Sequence, residues 1–411
     1  MKETDSVPAQ ARPVGKWRHW YRVIAFAVFN SILLLVLLNV VLYLISLRRQ
    51  PSTENGPIVR YGEENILKAY PGWRQEDVKA LLKETYKDLG VEYESFTEFR
   101  NKTLHGRFVN VDPGGFRVSK NQVPWPPRPE NYNVFVFGGS TTFGMGLPDD
   151  ETIASYLQEC SLANHSGKHL AVYNFGRIYY FSAQEMVLFE RLLEAGFVPQ
   201  VAVFIDGLND FAYPDGQTRF APRFQSFMAG QTQSSPYDNI PMVKAARWVS
   251  SHWAKAELPP IDQSRGLLES VPSRWLTNKK VVESLAATFG VRPLFVWQPV
   301  PTYKYDLGYH FLSHASYVRS RGFSMERDAL MENLFLQGRM GPNVVWIADG
   351  YGLMENLRAQ GKLGPNVLWL ADMQQDKQEN LYVDAVHYTA AFSKDIAGQI
   401  CGALNEHPNL K

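Results

Sequence analysis

The first 50 residues contain a long run of apolar positions. Residues 23–47 carry no charge, and Asn30 and Asn39 are the only strongly polar interruptions. An α-helix rises about 1.5 Å per residue, so about 20 such residues cross the hydrocarbon core of a bilayer. The pattern therefore predicts one transmembrane helix at residues 23–47, and no second run of similar length follows it.

Basic residues flank this run unequally. Five precede it and two follow it: Lys2, Arg12, Lys16, Arg18 and Arg22, then Arg48 and Arg49. Positive charge favours the cytoplasmic side, so we expect residues 1–22 to form a cytoplasmic tail and the remainder to be exported. A cleavable signal peptide is the alternative. However, the run is longer than the usual signal core of about 7–15 residues, and no small-x-small cleavage site follows it.

Between this helix and residue 130 the pattern is polar and irregular. Residues 48–70 contain Pro51, Gly56 and Pro57 in polar surroundings and are predicted to be a linker. Residues 74–104 combine many charges with spaced Leu and Tyr and are predicted to be helical. Residues 48–130 are therefore interpreted as a linker with an accessory helical segment.

After residue 130, short apolar runs alternate with helical patterns. Strands are predicted at residues 134–137, 170–173, 201–205 and 294–297, and helices at 151–159, 183–195, 277–289 and 391–404. Continuous apolar runs are typical of parallel strands buried on both faces, and their alternation with helices indicates a doubly wound α/β sheet. We therefore predict one α/β domain over residues 131–411.

Residues 211–275 interrupt this alternation with turn residues, scattered aromatics and short helical pieces. They follow a strand end, where the active-site loops of α/β folds lie, so a lid or a substrate-shaping insertion is predicted. A surface elaboration without a role is the alternative.

An internal repeat lies near the carboxyl end. Residues 331–349 read MENLFLQGRMGPNVVWIAD and residues 354–372 read MENLRAQGKLGPNVLWLAD, with 13 of the 19 positions identical. Two copies are too few for a solenoid, which needs about three. Each copy is predicted to be a helix end, a Gly-Pro turn and a strand. One copy would supply the core strand before Asp384, and the other an extra edge strand.

Composition narrows the classes of function. Of the 411 residues, 45% are apolar and 20% are charged, which is typical of a globular protein. The formal net charge is +1, so no overall field attracts the chain to nucleic acid. The two cysteines, Cys160 and Cys401, match no zinc or redox spacing. Cys160 lies at the end of the predicted helix at 151–159, and Cys401 lies within that at 391–404. Export would permit a disulfide, but two buried free thiols are an equal alternative.

The sequence Gly-Gly-Ser-Thr-Thr-Phe-Gly at residues 138–144 directly follows the first predicted strand. Glycines let the backbone turn sharply, and Ser140 then lies at the carboxyl end of a strand, where α/β folds keep their sites. A phosphate-binding loop is the alternative, but no Lys stands at the Walker position and the spacing differs from G-x-G-x-x-G. Ser140 is therefore the candidate nucleophile, and its own N–H is a candidate oxyanion donor.

A serine nucleophile needs a base. His387 lies just before the last predicted helix and three residues after Asp384, so one turn can direct the carboxylate at the imidazole. A capping Asp beside an incidental His is the alternative. His310 and His314 are four residues apart, but without an H-E-x-x-H pattern a packed or surface pair is favoured over a metal site.

Two further turns follow predicted strands. Asp206-Gly207-Leu208-Asn209-Asp210 comes after the strand at 201–205, and Asn174-Phe175-Gly176 comes after the strand at 170–173. The Asn209 side chain and the Gly176 N–H are candidate donors to an oxyanion, and one such donor is worth about 3–4 kcal/mol in acyl transfer. Ordinary turns are the alternative, although four such blocks at strand ends are harder to dismiss than one.

Together these four blocks resemble the SGNH (GDSL-like) hydrolase superfamily over about residues 131–406. The resemblance implies that Ser140 is the nucleophile, that Asp384 and His387 complete a triad, and that Gly176 and Asn209 join the Ser140 N–H in an oxyanion hole. The first block reads Gly-Gly-Ser-Thr rather than Gly-Asp-Ser-Leu, so the serine is retained and the Asp is missing. Gly115-Phe116-Arg117 resembles a segment of membrane-anchored bacterial members, and we expect Arg117 to be structural and paired to a carboxylate.

The resemblance also implies a three-layer α/β/α fold with a mainly parallel five-stranded sheet, and an enzyme without cofactor or metal. With the anchor, it predicts an extracytoplasmic serine esterase of the bacterial inner membrane, acting in the periplasm on acyl esters, above all O-acetyl esters, of cell-envelope glycans. An O-acyltransferase that modifies an exported polysaccharide is the enzymatic alternative, and a non-catalytic scaffold in envelope-polymer assembly is the other. The predicted partners are the membrane, the acylated substrate and polysaccharide machinery, without nucleic acid.

Overall fold

The computed structural model describes residues 14–48, 56–162, 167–229, 240–246, 261–311 and 342–406. Its contacts divide the chain into two compact units, Met1–Pro51 with Gly230–Glu257, and Ser52–Ala229 with Leu258–Lys411. The first unit contains the amino-terminal apolar helix. The second contains the predicted α/β domain and the segment that precedes it.

Helix α1 (Val14–Arg48) belongs to the first unit. Its stretch Trp17–Ile45 is long and apolar enough to cross a membrane, and a signal sequence would pass the same test. The polar side chain of Asn39 is satisfied inside this unit. Its Nδ2 donates to the Leu35 carbonyl at 2.9 Å, and its Oδ1 accepts from the Met242 N–H at 3.1 Å, in a short helix over residues 241–246.

Residues 56–111 form short helices followed by two hairpins, so two predictions for this part are wrong. The helices are α2 (Gly56–Tyr61), α3 (Glu63–Leu67), α4 (Gln75–Lys83) and a π-helical turn (Glu84–Asp88), and the hairpins are β1 (Val91–Glu94) with β2 (Glu98–Asn101) and β3 (Leu104–His105) with β4 (Asn110–Val111). The predicted linker at 48–70 is therefore helical from residue 56. The predicted helix at 74–104 ends before β1, because apolar Val91, Tyr93 and Phe99 follow the period of two that strands require.

Five parallel strands form the central sheet of the second unit. They are β5 (Tyr132–Gly138), β6 (Leu170–Gly176), β7 (Val201–Asp206), β8 (Arg292–Trp297) and β9 (Val367–Trp369). Their order is β6-β5-β7-β8-β9, so the direction of winding reverses between β5 and β7. The predicted α/β fold with a five-stranded parallel sheet is confirmed.

The helices that follow β5 are α5 (Ser140–Phe143), α6 (Ile153–Gln158), α7 (Ser182–Glu194), α8 (Leu208–Ala212), α9 (Ala221–Met228), α10 (Ile261–Phe289), α11 (Pro342–Ala359) and α12 (Ala390–Glu406). Helices α6 and α12 cover one face of this sheet, and α7 and α10 cover the other. Alternate side chains of β5 enter different cores. Val134 and Val136 pack with residues of α6 and α12, whereas Phe135 and Phe137 pack with residues of α7 and α10.

The segment before residue 131 shares the second of these cores. Ile66, Val78 and Leu81 are fully buried in the same cluster as Phe137. The Arg117 N–H donates to the Asn174 carbonyl at 2.8 Å, so this segment also covers part of the exposed edge of β6. The boundary between residues 130 and 131 stays a prediction.

The insertion predicted at 211–275 is partly helical. Helix α9 lies within it, and its last part, from Ile261, is the beginning of α10, which continues through Pro272. The predicted helix at 277–289 is therefore the second half of a longer one. Whether the insertion acts as a lid stays a prediction.

The two copies of the repeat fold differently. In the second copy, Val367–Trp369 form β9, which pairs with β8 from Phe295 to Trp297. The first copy was predicted to be a strand, and this is wrong: its residues from Pro342 lie in α11. Residues 331–341 lie outside the described part of the chain. Helix α11 continues into the start of the second copy, whereas β9 is followed by turns, so the flanking sequence selects the structure.

Cys160 and Cys401 form a disulfide, with their Cα atoms 6.1 Å apart. The bridge joins the end of α6 to α12, which pack together on one face of the sheet. Of the two alternatives that the sequence left open, the disulfide is the one observed.

Candidate active site

Ser140 lies where the order of the sheet reverses. It begins α5 directly after β5, and Asn209 lies in α8 after the neighbouring strand β7. In open α/β sheets, ligands bind in the crevice at the carboxyl ends of the strands at such a switch point. The topology therefore places Ser140 and Asn209 on adjacent strand ends at the position that suits a site.

His387 contacts both other members of the predicted triad. Its Nε2 lies 2.8 Å from Ser140 Oγ, although 247 positions separate the two residues in the sequence. Its Nδ1 lies 2.6 Å from Asp384 Oδ2. The side chains of His387 and Asp384 are only 12% and 8% exposed, so these contacts are largely shielded from water. The three residues are brought together as a nucleophile, a base and an orienting carboxylate.

Asp384 is surrounded by hydrogen-bond donors. Its Oδ1 accepts from the backbone N–H groups of Val386 and His387, at 2.9 and 2.8 Å. Its Oδ2 accepts from the Tyr86 hydroxyl at 2.6 Å as well as facing His387 Nδ1. Burial raises the pKa of the Asp384 carboxyl, but His387 and the donated hydrogen bonds outweigh it and hold that pKa well below its usual range.

Sequence reasoning missed Tyr86. It lies in the π-helical turn at Glu84–Asp88, and such turns often occur at functional sites. Its partner Asp384 is 298 positions away, so no local pattern connects them. The segment before the α/β domain therefore supplies one hydrogen-bond donor to Asp384 of the candidate triad.

His310 packs beside the loop that carries Asp384. Its ring stacks against those of Phe311 and Tyr382, with both pairs of ring centroids 5.3 Å apart. Burial lowers the pKa of His310 to about 4, although Asp384 and the Asp384 and Ala385 carbonyls act in the opposite direction. His310 is thus a packed neutral side chain beside the backbone that carries Asp384.

Arg117 binds the backbone of the loop that follows Ser140. Its side chain is fully buried and pairs with Asp149 at 3.1 Å, as the sequence predicted. Its Nη1 donates to the carbonyls of Phe143 and Gly144, at 2.9 and 2.6 Å, and its Nη2 donates to that of Leu147. The guanidinium therefore satisfies the carbonyls at the end of α5, which a short helix leaves without partners.

Asn209 lies against the nucleophile loop. Its Nδ2 donates to the Tyr180 carbonyl at 2.6 Å, and a Cβ on Gly139 would lie only 2.5 Å from the same nitrogen. Because residue 139 has no side chain, the amide can approach the backbone next to Ser140. An Asn amide has two hydrogens, so one remains for a ligand.

Gly176 does not fit the role predicted for it. Its N–H donates to Asn174 Oδ1 at 3.0 Å. It is buried beneath α5, where an added Cβ would lie 2.5 Å from the Phe143 nitrogen. The absence of a side chain lets α5 pack on the end of β6, and the amide is already used. We therefore leave Gly176 out of the candidate oxyanion hole.

A second group of carboxyls lies behind Asn209. Glu185, Asp206 and Asp210 are each at most 4% exposed. Trp275 Nε1 donates to Asp206 at 2.9 Å, and the Ser182 hydroxyl donates to Asp210 at 2.6 Å. Burial raises the pKa of all three carboxyls, with mutual repulsion adding to it at Glu185 and Asp206, and that of Asp206 reaches about 8. At neutral pH the group therefore keeps protons that ordinary carboxyls lose.

Within the described ranges, no group of three or more His, Cys, Asp and Glu side chains is placed to hold a metal ion. His310 is packed in the core, and His314 lies outside the described residues. Of the pair His310 and His314, the structure therefore describes only His310, whose ring stacks on aromatic side chains.

No family model matches the chain, and no curated protein matches it. Solved structures do. One is a member of the lipolytic protein G-D-S-L family from Veillonella parvula DSM 2008, with 10% identity and a TM-score of 0.32, covering 66% of this chain and 96% of that one. Another is an acetyl xylan esterase, with 12% identity and a TM-score of 0.32, covering 66% and 99%. These neighbours are similarities only, and the candidate site rests on the sequence and geometry of this chain.

Proposed function

We propose that the chain is a serine esterase in which Ser140 is the nucleophile, His387 the general base and Asp384 the orienting carboxylate. One observation carries the proposal. Ser140 Oγ, the two ring nitrogens of His387 and Asp384 Oδ2 form a continuous line of contacts, at 2.8 and 2.6 Å. A triad is recognised by this geometry of roles and not by sequence position.

In the proposed reaction, His387 Nε2 takes the Oγ proton as Ser140 attacks the ester carbonyl carbon. Asp384 keeps the proton on Nδ1 and stabilises the imidazolium that forms. The oxyanion receives hydrogen bonds from the Ser140 N–H and from the second amide hydrogen of Asn209. The alcohol leaves with the proton from His387, and water then releases the acyl group from Ser140 by the same route.

We also propose that the site works outside the cytoplasm, on a domain tethered by α1. The Cys160–Cys401 disulfide supports this, because disulfides persist in oxidising compartments. The basic residues before α1 support it through their preference for the cytoplasmic side. A periplasmic esterase on the bacterial inner membrane would meet envelope glycans, and O-acetyl esters of these glycans are the proposed substrates.

Replacement of the nucleophile tests the chemistry. The full-length Ser140→Ala variant is expected to lose hydrolysis of a small aryl ester by at least about 1,000-fold, because removal of a triad nucleophile leaves only residual catalysis. Ser284→Ala, at an exposed serine of α10, is the matched control and should keep full activity. A fully active Ser140→Ala variant would show that the proposal is wrong.

Acetate release separates the two enzymatic readings. Wild type and Ser140→Ala would be incubated with O-acetylated envelope glycans, with and without an added sugar acceptor. Ser140-dependent release of free acetate without an acceptor supports the esterase. Ser140-dependent acylation of the added sugar, in place of release, supports the O-acyltransferase alternative.

A fluorophosphonate probe tests the scaffold alternative. An activated serine reacts covalently with such a probe, whereas an ordinary serine does not. Labelling of wild type that is lost in Ser140→Ala would exclude the non-catalytic scaffold. An unlabelled, correctly folded wild type would support it instead.

A further inference from the structure

Helix α9 lies on the surface with its large apolar side chains uncovered. None of its residues is buried. Phe224, Phe227 and Met228 are 54%, 66% and 70% exposed, and Tyr93 of the β1–β2 hairpin is 74% exposed. We call Tyr93, Phe224, Phe227 and Met228 the apolar patch. Soluble surfaces carry single exposed apolar residues routinely, but a cluster of large ones marks an interaction site.

The apolar patch borders a groove of about 350 Å³ between the hairpin and α9. Its lining is mostly apolar and includes Val91 and Phe99. Arg223 also lines it, and Arg219, near the start of α9, places its guanidinium 5.4 Å from the ring centroid of Tyr179. The surface thus combines exposed aromatic rings with exposed cations.

Two acidic side chains, Glu92 and Glu98, also line the groove. Glu92 accepts from Arg100 Nε at 2.7 Å, and Oε2 of Glu98 is buried. Within the described part of the chain, no ion pair involves Arg219 or Arg223. Aromatic rings beside basic side chains are the composition that settles at a bilayer surface, where rings enter the headgroup region and cations meet anionic lipids.

The segment that follows α9 indicates which surface the apolar patch contacts. After Met228 it passes through residues 230–239 to the helix at 241–246. That helix belongs to the unit of α1, where the Met242 N–H bonds Asn39 inside the apolar stretch Trp17–Ile45. The segment that follows the apolar patch is therefore part of the unit that contains the proposed membrane anchor.

The patch is also connected to the candidate active site. Phe220, at the start of α9, packs against Phe99 and Tyr179, with ring centroids 5.0 and 6.3 Å apart. The next residue, Tyr180, accepts the hydrogen bond from Asn209 through its carbonyl. The contact between Phe220 and Tyr179 therefore lies next to Tyr180, which binds the candidate oxyanion donor Asn209.

We propose that the apolar patch, with Arg219 and Arg223, rests on the surface of the phospholipid bilayer that α1 spans. This inference rests on the proposed membrane anchoring and not on the proposed chemistry. Phe224, Phe227 and Met228 enter the headgroup region, and the two arginines meet anionic headgroups.

Depth-dependent quenching tests the proposal without any activity assay. Both native cysteines are paired, so a new cysteine can be labelled selectively with an environment-sensitive fluorophore. The full-length Phe227→Cys variant is reconstituted into phosphatidylcholine and phosphatidylglycerol vesicles, with or without lipids that carry a nitroxide near the headgroup. Phe289→Cys is the matched control, since Phe289 is 42% exposed and lies at the opposite, amino end of the strands.

The nitroxide lipids are expected to remove much of the emission at position 227 and little at position 289. Adding Phe224→Asp to the Phe227→Cys variant should reduce this quenching, because a charge resists entry into the bilayer. Circular dichroism and the intact disulfide establish that each variant is folded.

Equal quenching at both positions would mean that the anchor alone brings the domain near lipid, and would overturn the proposal. Absence of quenching at position 227 would overturn it as well. That result would point to a second copy of the chain or to residues 230–239 as the cover. If aryl-ester hydrolysis were absent while position 227 was quenched, the proposed chemistry would fail and the membrane contact would stand.

Discussion

Asp384 and Asp206 are two buried carboxyls beside the candidate site, and they are held in opposite protonation states. Asp384 is 5% exposed and Asp206 is 4% exposed, so burial does not separate them. Burial raises the pKa of both. At Asp384 the facing His387 and the donated hydrogen bonds reverse that effect, whereas at Asp206 the neighbouring Asp210 carboxylate adds to it.

The pKa values of Asp384 and Asp206 differ because different hydrogen-bond donors surround each carboxyl. Each oxygen of Asp384 has two partners: two backbone N–H groups on one, and Tyr86 with His387 on the other. In the described residues, Asp206 meets one side-chain donor, Trp275, and also interacts with the Glu185 carboxyl, which requires a proton between them. Donors thus decide which buried acid can stabilise an imidazolium.

The largest effect is expected from Asp384→Asn. The backbone N–H groups of Val386 and His387 require an oxygen at the Oδ1 position, so the new NH₂ must face His387 Nδ1. The imidazole then carries its proton on Nε2, where it cannot accept one from Ser140. We expect kcat for an aryl ester to fall by about 10⁴, as for this change in other serine triads.

The same substitution at Asp206 is the matched control. Asp206 is already neutral in the folded protein at pH 7, so an amide resembles its native state. Steady-state kinetics at pH 7 should show a far smaller fall in kcat for Asp206→Asn than for Asp384→Asn. Equal losses of kcat in the two variants would mean that Asp384 and Asp206 do not differ in protonation state.

A smaller effect is expected from Tyr86→Phe, which removes one of the four partners of Asp384. A hydrogen bond to a charged group is worth about 1.5–3 kcal/mol, so a fall in kcat of about 10- to 100-fold is expected. Tyr70→Phe is the control, because the Tyr70 hydroxyl comes from the same segment but donates to the Gly146 carbonyl at 2.7 Å. Similar losses in both variants would assign the effect to packing and not to Asp384.

The last effect concerns stability and its dependence on pH, and not the rate. The folded protein keeps the Asp206 proton up to about pH 8, whereas an unfolded chain releases it near the ordinary value of 3.8. Because the folded state binds the extra proton, this group makes the free energy of unfolding fall as pH rises from about 4 to about 8. Thermal unfolding of Asp206→Asn between pH 5 and 8 should show a flatter dependence than wild type. An unchanged slope would contradict the raised pKa.

The sequence predicted most of the site because its residues sit at local landmarks. Ser140 and Asn209 follow strands, and Asp384 and His387 are three residues apart before a helix. Tyr86 and the carboxyl group around Glu185 were missed because their contacts arise only when distant segments pack. Gly176 was misassigned for a similar reason: a glycine after a strand serves close packing as readily as ligand binding, and only the position of α5 decides between them.

The repeat shows the same limit in the fold. The sequences GPNVVWIAD and GPNVLWLAD are nearly identical, yet the first lies in α11 from Pro342 onward and the second contains β9. In the second copy, Trp369 stacks on Trp297 of β8, with ring centroids 6.3 Å apart. In the first, Ile347 is buried in the core, as are Tyr351 and Met354 farther along the same helix. Local propensity is the same in both copies, so neighbours decide the outcome.

The disulfide makes a covalent ring of the chain from Cys160 to Cys401, and Asn209, Asp384 and His387 all lie on it. A single protease cut anywhere within that ring leaves two pieces that remain joined through sulfur. A cut between α1 and α2 lies outside the ring and removes the amino-terminal helix from everything that follows. The position of one cleavage thus decides between a nicked domain that keeps all its parts and a domain separated from its amino-terminal helix.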